Sequence, residues 1–462
     1  MQELNLGYHY PIIYWNTACL IINAGANEEL DDNKSTQYGK IAKAIANFKQ
    51  RSIIVDRPLI NEAKFSFVPD EKNNRIIFSF KGLCGIGDDI ARAIVEHQPY
   101  SSFEDFCKRM VDTKIIGTAK MIILIKAGCF NGLDSPDRME TMKKFLSRNV
   151  FTPIDKLTMQ QFNSALEYDI FPKEMETMIR IKNFKAYALH ESFFLKNIID
   201  EGKKVPKKGY HDRYFALDER GTEFLMEHFN TCIVGTKEDG VIISEKLFNK
   251  EWDALIQPLK DYMALPETLQ LYNQKKLDST MESYASGSLE QWDMESLSYY
   301  PDRHELWNLN EPKYGVVDYN SLPEIPEVYE HTTRRVRGEI KHFPKYKIFR
   351  LAGTVLDSDN NKHLVSLLTN HGVVTCKYNK GQYSYYNKRI SEQTPAGKKK
   401  VLEESWFKRG SKIIVCGYRR EDQFVIMKYP DTVYTHTTNR IEEIYNDGTI
   451  LAQTDRKKVG EG

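Results

Sequence analysis

The spacing of apolar and polar positions changes along the chain, and each change marks a region. Residues 8–24, YHYPIIYWNTACLIINA, place a turn at Pro11 before an apolar run, which predicts a largely buried helix. A polar break at residues 28–35 precedes a helical repeat over 38–48, with Ile41, Ala44 and Ile45 on one face. Short apolar runs predict strands at 52–55, 65–68 and 76–80, the last two paired across residues 70–74. From Lys81 the pattern becomes KGLCGIGDDIARAIVEH, a glycine-rich turn running directly into a helix that would face Ile90, Ala93, Ile94 and His97 inward. A helix from about Phe103 follows, and then one over 118–127 that stops at Gly128, the residue type suited to a helix C-terminus.

Residues 150–330 are mixed and aromatic-rich, without a sustained period. Two stretches read as linkers: the polar, serine-bearing residues 278–291 and the proline-rich NSLPEIPEVYE at 320–330. Beyond them the period becomes two. Strands are predicted at 348–356, 363–368, 373–378, 412–418 and 423–428, with turns at 357–361 and 370–372. Five strands with a long excursion between the third and fourth suit an OB-type barrel. The fold class expected is multidomain α+β: a helical N-terminal part, a mixed middle region and a C-terminal five-stranded OB-type barrel. The divisions fall at 1–75, 76–150, 151–330, 331–437 and a tail at 438–462.

Charge adds one thing to this picture. The net charge of +1 hides an excess of 13 between Arg334 and Lys428, where 21 Lys/Arg face 8 Asp/Glu, so the remainder carries −12. A basic module on an acidic body points to a polyanionic partner. The seven cysteines are scattered singly, with no CxxC, which argues against structural zinc and a disulfide framework and suggests a reducing, cytoplasmic compartment. No apolar run approaches the roughly 20 residues of a transmembrane helix, and no signal peptide is evident at the N-terminus; no membrane partner is expected.

The most informative short motif is the hairpin carrying Gly82, Cys84, Gly85, Ile86 and Gly87. Glycines allow tight turning and close approach of a ligand, and the free amides of the following helix start suit a DNA phosphate. Such contact ignores base sequence. Asp88 and Asp89 would repel a phosphate unless they turned aside. The 118–128 helix could begin a second hairpin, but its MIILI core is apolar nearly all round and reads as structural. In the β module, aromatics alternate with cations, as in OB folds that stack unpaired bases and track phosphates. The candidate single-strand residues are Lys377, Tyr378, Lys380, Tyr383, Tyr386, Lys388 and Arg389, with Tyr383, Tyr386 and Lys388 expected at the surface; otherwise such aromatics would fill the barrel. No catalytic or metal constellation is found, Asp357-Ser358-Asp359 being read as a turn.

Several of these segments together resemble the family C replicative DNA polymerases, the bacterial and phage DNA polymerase III alpha subunits. The resemblance rests on Asp56-Arg57-Pro58-Leu59-Ile60-Asn61, on residues 77–87 with the hairpin, and on Phe103-Glu104-Asp105-Phe106-Cys107. It rests further on Leu124-Ile125-Lys126-Ala127-Gly128-Cys129-Phe130, and on residues 295–300 with His304 and Leu306 before the barrel. Tyr10-Pro11 and the following helix look like the end of the fingers region. The poor match over 160–290 suggests a phage-type lineage, hence host cytoplasm.

The resemblance implies the C-terminal portion of a DNA-directed DNA polymerase. Duplex product would be gripped by a helix-hairpin-helix and template single strand by an OB fold. The catalytic aspartates, and the Mg²⁺ they would hold in the complete polymerase, are absent here, so an upstream chain with palm and PHP domains is the expected partner. Exposed Ile12, Ile13, Trp15 and Leu20 would meet that chain. The run Gly117-Thr118-Ala119-Lys120 lacks the family's basic character, so no DNA contact is expected there. A sliding clamp is a further candidate partner, with Gln291-Trp292-Asp293-Met294 the nearest thing to its motif. The alternatives are an independent DNA-binding accessory protein of phage replication or repair, and an RNA-binding OB protein.

Overall fold

The computed structural model describes residues 11–26, 35–49, 51–133, 137–195, 213–238, 240–393, 399–427 and 437–457. Two compact units emerge, one formed by 1–144 with 285–462 and the other by 145–284.

In the first unit, helix α1 (Ile12–Ala24) starts after Pro11 and ends at Gly25, which adopts a left-handed φ of 64°. The 3.6-residue period turns Ile13, Thr17, Leu20 and Ala24 inward, leaving Ile12, Trp15 and Ile22 exposed. The expectation that Ile13 and Leu20 are exposed is therefore corrected. Helix α2 (Tyr38–Lys49) buries Ile41, Ala42, Ile45 and Phe48. A small sheet follows, in which β1 (Ile54–Asp56) lies parallel to β3 (Arg75–Ile77), and β3 pairs antiparallel with β2 (Val68–Asp70). These strands are shorter than the apolar runs suggested. Residues 64–65 meet 80–81 only through two backbone bonds, from Phe80 N–H to Lys64 and from Lys81 N–H to Phe65. Helix α3 (Asp88–Glu96) buries Ala91 and Ile94, whereas Ile90, Ala93 and His97 are only partly covered. Short α4 (Phe103–Phe106) continues into a wide π turn at Cys107–Val111, and α5 (Thr118–Lys126) ends before Gly128. Helix α6 (Arg138–Asn149) follows.

The second unit has a three-stranded antiparallel sheet of order β4 (Tyr214–Ala216), β6 (Gly240–Ser244), β5 (Ile233–Lys237). Its core joins Phe184, Phe215, Phe229, Ile243 and Phe248, and the Phe229 and Phe248 rings stack at 5.0 Å. The expected linker at 278–291 contains the division between the two units but is mostly helical. Residues 278–285 complete the helix Pro266–Ala285, and Leu289 already opens the helix Leu289–Leu297. The polar side chains there are a helix's wet face, with Thr280 and Ser283 hydroxyls donating to carbonyls four residues back.

The C-terminal barrel belongs to the first unit. A meander of β9 (Phe349–Asp359), β10 (Leu364–Thr369) and β11 (Gly372–Lys377) is completed by β14 (Lys412–Arg420) and β15 (Gln423–Ile426). Closure comes from β14 pairing antiparallel with β9 and β15, and from β11 pairing parallel with β15. This is the five-stranded OB-type barrel that the alternation predicts. Gly417 sits where a Cβ would lie 2.1 Å from the Val425 carbonyl oxygen, so only glycine allows this close strand approach. Strand β9 continues through Asp357-Ser358-Asp359, which are paired with β10 and not in a turn; the turn follows, with His363 at φ 54°.

The excursion between β11 and β14 carries a helix, Lys380–Asn387, and a hairpin of β12 (Ile390–Gln393) with β13 (Lys399–Glu403). Beyond the barrel, β16 (Thr438–Ile444) pairs with β14 and β17 (Ile450–Gln453) with β16. The chain then ties back. Arg456, 5% exposed, donates to the Glu403 carboxylate at 2.6 Å and to the carbonyls of Tyr385, Tyr386, Lys388 and Glu404.

Two consequences are measurable. Because removing one member of a buried pair strands the other charge, Arg456→Ala is expected to cost about 3–5 kcal/mol in urea unfolding; a loss below about 1 kcal/mol would show the pair to be unimportant. His304 Nδ1 accepts from the Leu306 N–H while Nε2 donates to the Leu368 carbonyl, and burial pushes its pKa down to about 4. An unfolded histidine protonates near 6.5. Stability from neutral His304 is thus complete above about pH 6.5 and lost as pH falls toward 4. His304→Gln is expected to flatten stability across that window, and an unchanged pH profile would refute the assignment.

Candidate nucleic-acid interface

The first hairpin is built on buried apolar anchors. Phe78, Phe80 and Leu83 are fully buried, and Ile86 is 4% exposed. Gly82 is demanded by packing, since a Cβ there would meet the Phe78 ring at 2.9 Å. Gly85 is demanded by conformation, at φ 85°. Gly87 is demanded by neither. Its φ of −82° suits any residue, and nothing lies within 4 Å of where a Cβ would stand. Among the described residues the N–H groups of Gly87, Asp88 and Asp89 have no backbone partner, as the start of a helix requires. Asp88 is drawn aside into an ion pair with Lys81.

A second hairpin repeats this arrangement. The π turn leads through Lys114, at φ 63°, to buried Ile116 and then to Gly117, which caps α5 at φ −85°, ψ 164°. Gly87 caps α3 at φ −82°, ψ 166°. Each is a glycine after a buried isoleucine, in one extended conformation, with open space where a side chain would be. The two are joined directly. Lys120 Nζ donates to the Gly85 carbonyl at 2.5 Å, and a Cβ on Gly85 would lie 3.2 Å from Ile123 Cδ1. Two helix starts of matching geometry thus belong to hairpins that Lys120 ties together.

The predicted duplex-site residues divide accordingly. Gly87 lies at the accessible edge, and Gly85 shapes it. Gly82, Cys84 and Ile86 have their amides engaged by Ser79, Ser296 and Leu83 respectively, and the Cys84 thiol meets the Ser298 hydroxyl at 2.9 Å. These three build the hairpin and offer no free donor. Gly117 and Lys120, set aside in the sequence because their run lacks the family's basic character, stand beside the first hairpin. The detectable signal was the repeat of Ile-Gly immediately before a helix.

Behind the hairpins, helix Leu289–Leu297 holds both. Buried Asp293 receives Arg57 through two bonds of 2.6 and 2.9 Å and is also paired with Arg138. Arg57 Nη1 reaches the Ala127 carbonyl and Arg138 the Lys126 carbonyl, at the end of α5. Trp292, Asp293 and Met294 are thus interior, at 0–2% exposure, and cannot serve as a clamp-binding motif.

On the barrel the predicted single-strand set separates. Tyr378, Tyr383 and Tyr386 are core residues at 2–6% exposure, not surface platforms. Residues 380–387 form a helix, so Tyr383 and Tyr386 share its inward face while Tyr385, 50% exposed, points out. Burial raises all three buried phenols above their ordinary pKa. Lys377 is half-buried and bound to the Lys362 carbonyl. Lys380, Lys388 and Arg389 are exposed, Arg389 pairing with Glu404 at 3.1 Å. Among the described residues, no group of three or more His, Cys, Asp or Glu could hold a metal. The Asp359 carboxylate instead accepts the N–H groups of Asn361 and Lys362, each at 2.9 Å. No helix among the described residues is long and apolar enough to cross a membrane.

The architecture is that of a helix-hairpin-helix region joined to an OB-type barrel. Residues 52–140 match the helix-hairpin-helix motif family. The chain is 40% identical over 467 aligned residues, 99% of its length, to the probable DNA polymerase YorL of Bacillus subtilis (strain 168). The same identity and coverage hold for a DNA-directed DNA polymerase of Bacillus phage SPbeta. The chain spans 34% of each relative, about a third of their length.

The glycines are separable by unfolding measurements. Gly87→Ser and Gly117→Ser place a favoured N-cap residue in open space and are expected to change stability by less than about 0.5 kcal/mol. Gly85→Ser forces a side chain into a left-handed site and is expected to cost about 1–2 kcal/mol. Equal losses at all three positions would contradict this division.

Proposed function

We propose that this chain is the DNA-gripping, C-terminal part of a phage-type replicative polymerase of the DNA polymerase III alpha kind. The observation that carries the proposal is the matched pair Gly87 and Gly117, open at two helix starts whose hairpins Lys120 joins through the Gly85 carbonyl. A phosphate oxygen at either glycine accepts from the helix-start amides, and the absent side chains permit close approach. The contact is to the backbone of duplex product and is independent of sequence. That suits a polymerase, which must slide over every sequence it copies. Single-stranded template would follow the OB barrel through Lys380, Lys388, Arg389 and exposed Tyr385, since the buried tyrosines cannot stack with bases.

Nucleotide addition belongs, in this reading, to an upstream palm-containing chain that also carries the PHP domain. The carboxylates described here do not fit the Mg²⁺ of such a centre, so no chemical step is assigned to these residues. Exposed Ile12, Trp15 and Ile22 on α1 offer an apolar surface to that chain. No residues are assigned to a sliding clamp. The site of action would be the host cytoplasm. The similarity to two named DNA polymerases supports the reading.

The test combines binding with primer extension. The Gly87→Ser/Gly117→Ser double variant, still folded, is expected to bind duplex DNA at least about tenfold more weakly. With Mg²⁺ and four nucleotides, extension is expected only when the palm-containing chain is added. Unchanged duplex affinity would overturn the hairpin assignment. Extension by this chain alone would overturn the division of labour, and DNA binding without extension in either case would favour an accessory protein.

A further inference from the structure

The strands β7 (Val328–Val336) and β8 (Glu339–Tyr346) form a sheet of their own, separate from the barrel. Two-stranded ribbons are marginally stable alone in water. The base of this one closes with the Lys347 N–H donating to the Glu327 carbonyl at 2.9 Å. Among the described residues it is held to the barrel there, where the Tyr346 ring lies 4.5 Å from that of Tyr418 and its hydroxyl accepts from Arg420 at 3.4 Å. At its far end Arg337 and Gly338 turn the chain with φ of 55° and 88°, the geometry of a tight two-residue hairpin. Both faces are open. Tyr329, Ile340 and Phe343 are 57%, 67% and 42% exposed.

The charges are graded along its length. At the base, cross-strand pairs neutralise one another: Lys345 with Glu330 at 2.6 Å, and Lys347 with Glu327 at 3.3 Å. In the distal half, Arg334, Arg335, Arg337 and Lys341 face a single acid, Glu339, whose nearest approach is 3.9 Å to Lys341. The register puts Arg334 opposite Lys341 on one face and Arg335 opposite Ile340 on the other, with Arg337 at the tip. Like charges placed directly across a ribbon repel, so this end is destabilised until an anion covers it.

We infer that the 328–346 ribbon is a second duplex-DNA contact, an arm that enters a groove and binds phosphates through Arg334, Arg335 and Arg337. A two-stranded ribbon fits the major groove, about 12 Å wide, and guanidinium groups match phosphate geometry. Pairing of its edges with another protein's strand is disfavoured by the same density of charge. The inference rests on the DNA-binding reading above and adds a contact that reading does not contain.

Its test is the salt dependence of duplex binding by the full chain, measured by fluorescence anisotropy. Each phosphate contact contributes about 0.9 to the slope of log K against log salt. The Arg334→Ala/Arg335→Ala/Arg337→Ala variant is expected to lose about 2–3 from that slope, and the corresponding lysine variant to retain it. These side chains are exposed, and an unchanged thermal melt will verify folding. A wild-type chain that binds DNA steeply with a triple variant of equal slope would overturn the arm while leaving the hairpins intact. A wild-type chain that does not bind duplex at all would overturn the underlying reading instead.

Discussion

The carboxylate of Asp293 organises the first unit. It is 2% exposed, and an isolated charge so placed would be intolerable without compensation. Arg57 and Arg138 supply it from opposite sides of the hairpin region, one before the first hairpin and one after α5. Each arginine spends further donors on carbonyls at the end of α5, at Ala127 and Lys126. Such networks are unforgiving, since losing one member leaves the others charged and buried. The same helix sends Met294 into a cluster with Ala42, Tyr300 and Leu356, which lies against strand β9. One acid on one helix therefore fixes the hairpins in relation to the barrel.

That rigidity gives the glycines their meaning. Three hairpin glycines look alike in the sequence, yet Gly82 answers to packing, Gly85 to backbone conformation, and Gly87 to neither. A glycine that neither packing nor backbone conformation requires, standing at a helix start, leaves open space beside the helix-start amides. Gly117 matches it, although the two loops reach the same cap conformation by different routes, through a glycine at 85 and through Lys114. The barrel shows the opposite case. Its apparent stacking residues are needed by the fold, and Tyr378, Tyr383 and Tyr386 pack with Trp406 and Phe407.

The relatives and the architecture agree on where to look for function. A third of each relative's length aligns with nearly all of this chain, and the hairpin region lies within the aligned part. On the proposed reading, grip by paired helix starts, with arginines held out on a ribbon, would give affinity through charge without stalling at particular bases.

Local patterns were legible from the residues alone. Alternation with period two located the five barrel strands, and glycine followed by a helical repeat located the first hairpin, because strand and helix periods are properties of the backbone. Polar composition concealed the helices at 278–291, where serines and acids line their outer face. Burial was beyond reach wherever an element's type was itself in question. Residues 379–410 carried no element in the sequence reading, only an excursion; folded in part as a helix, 380–387, they turn Tyr383 and Tyr386 inward. Long-range charge pairing was also illegible, since nothing near Arg57, Asp293 or Arg456 in sequence names its partner. The sequence by itself determined the elements and the first hairpin. Only the tertiary structure decided which glycines are free, which tyrosines are core and how the second hairpin meets the first, because those depend on what other parts of the chain bring within a few ångströms.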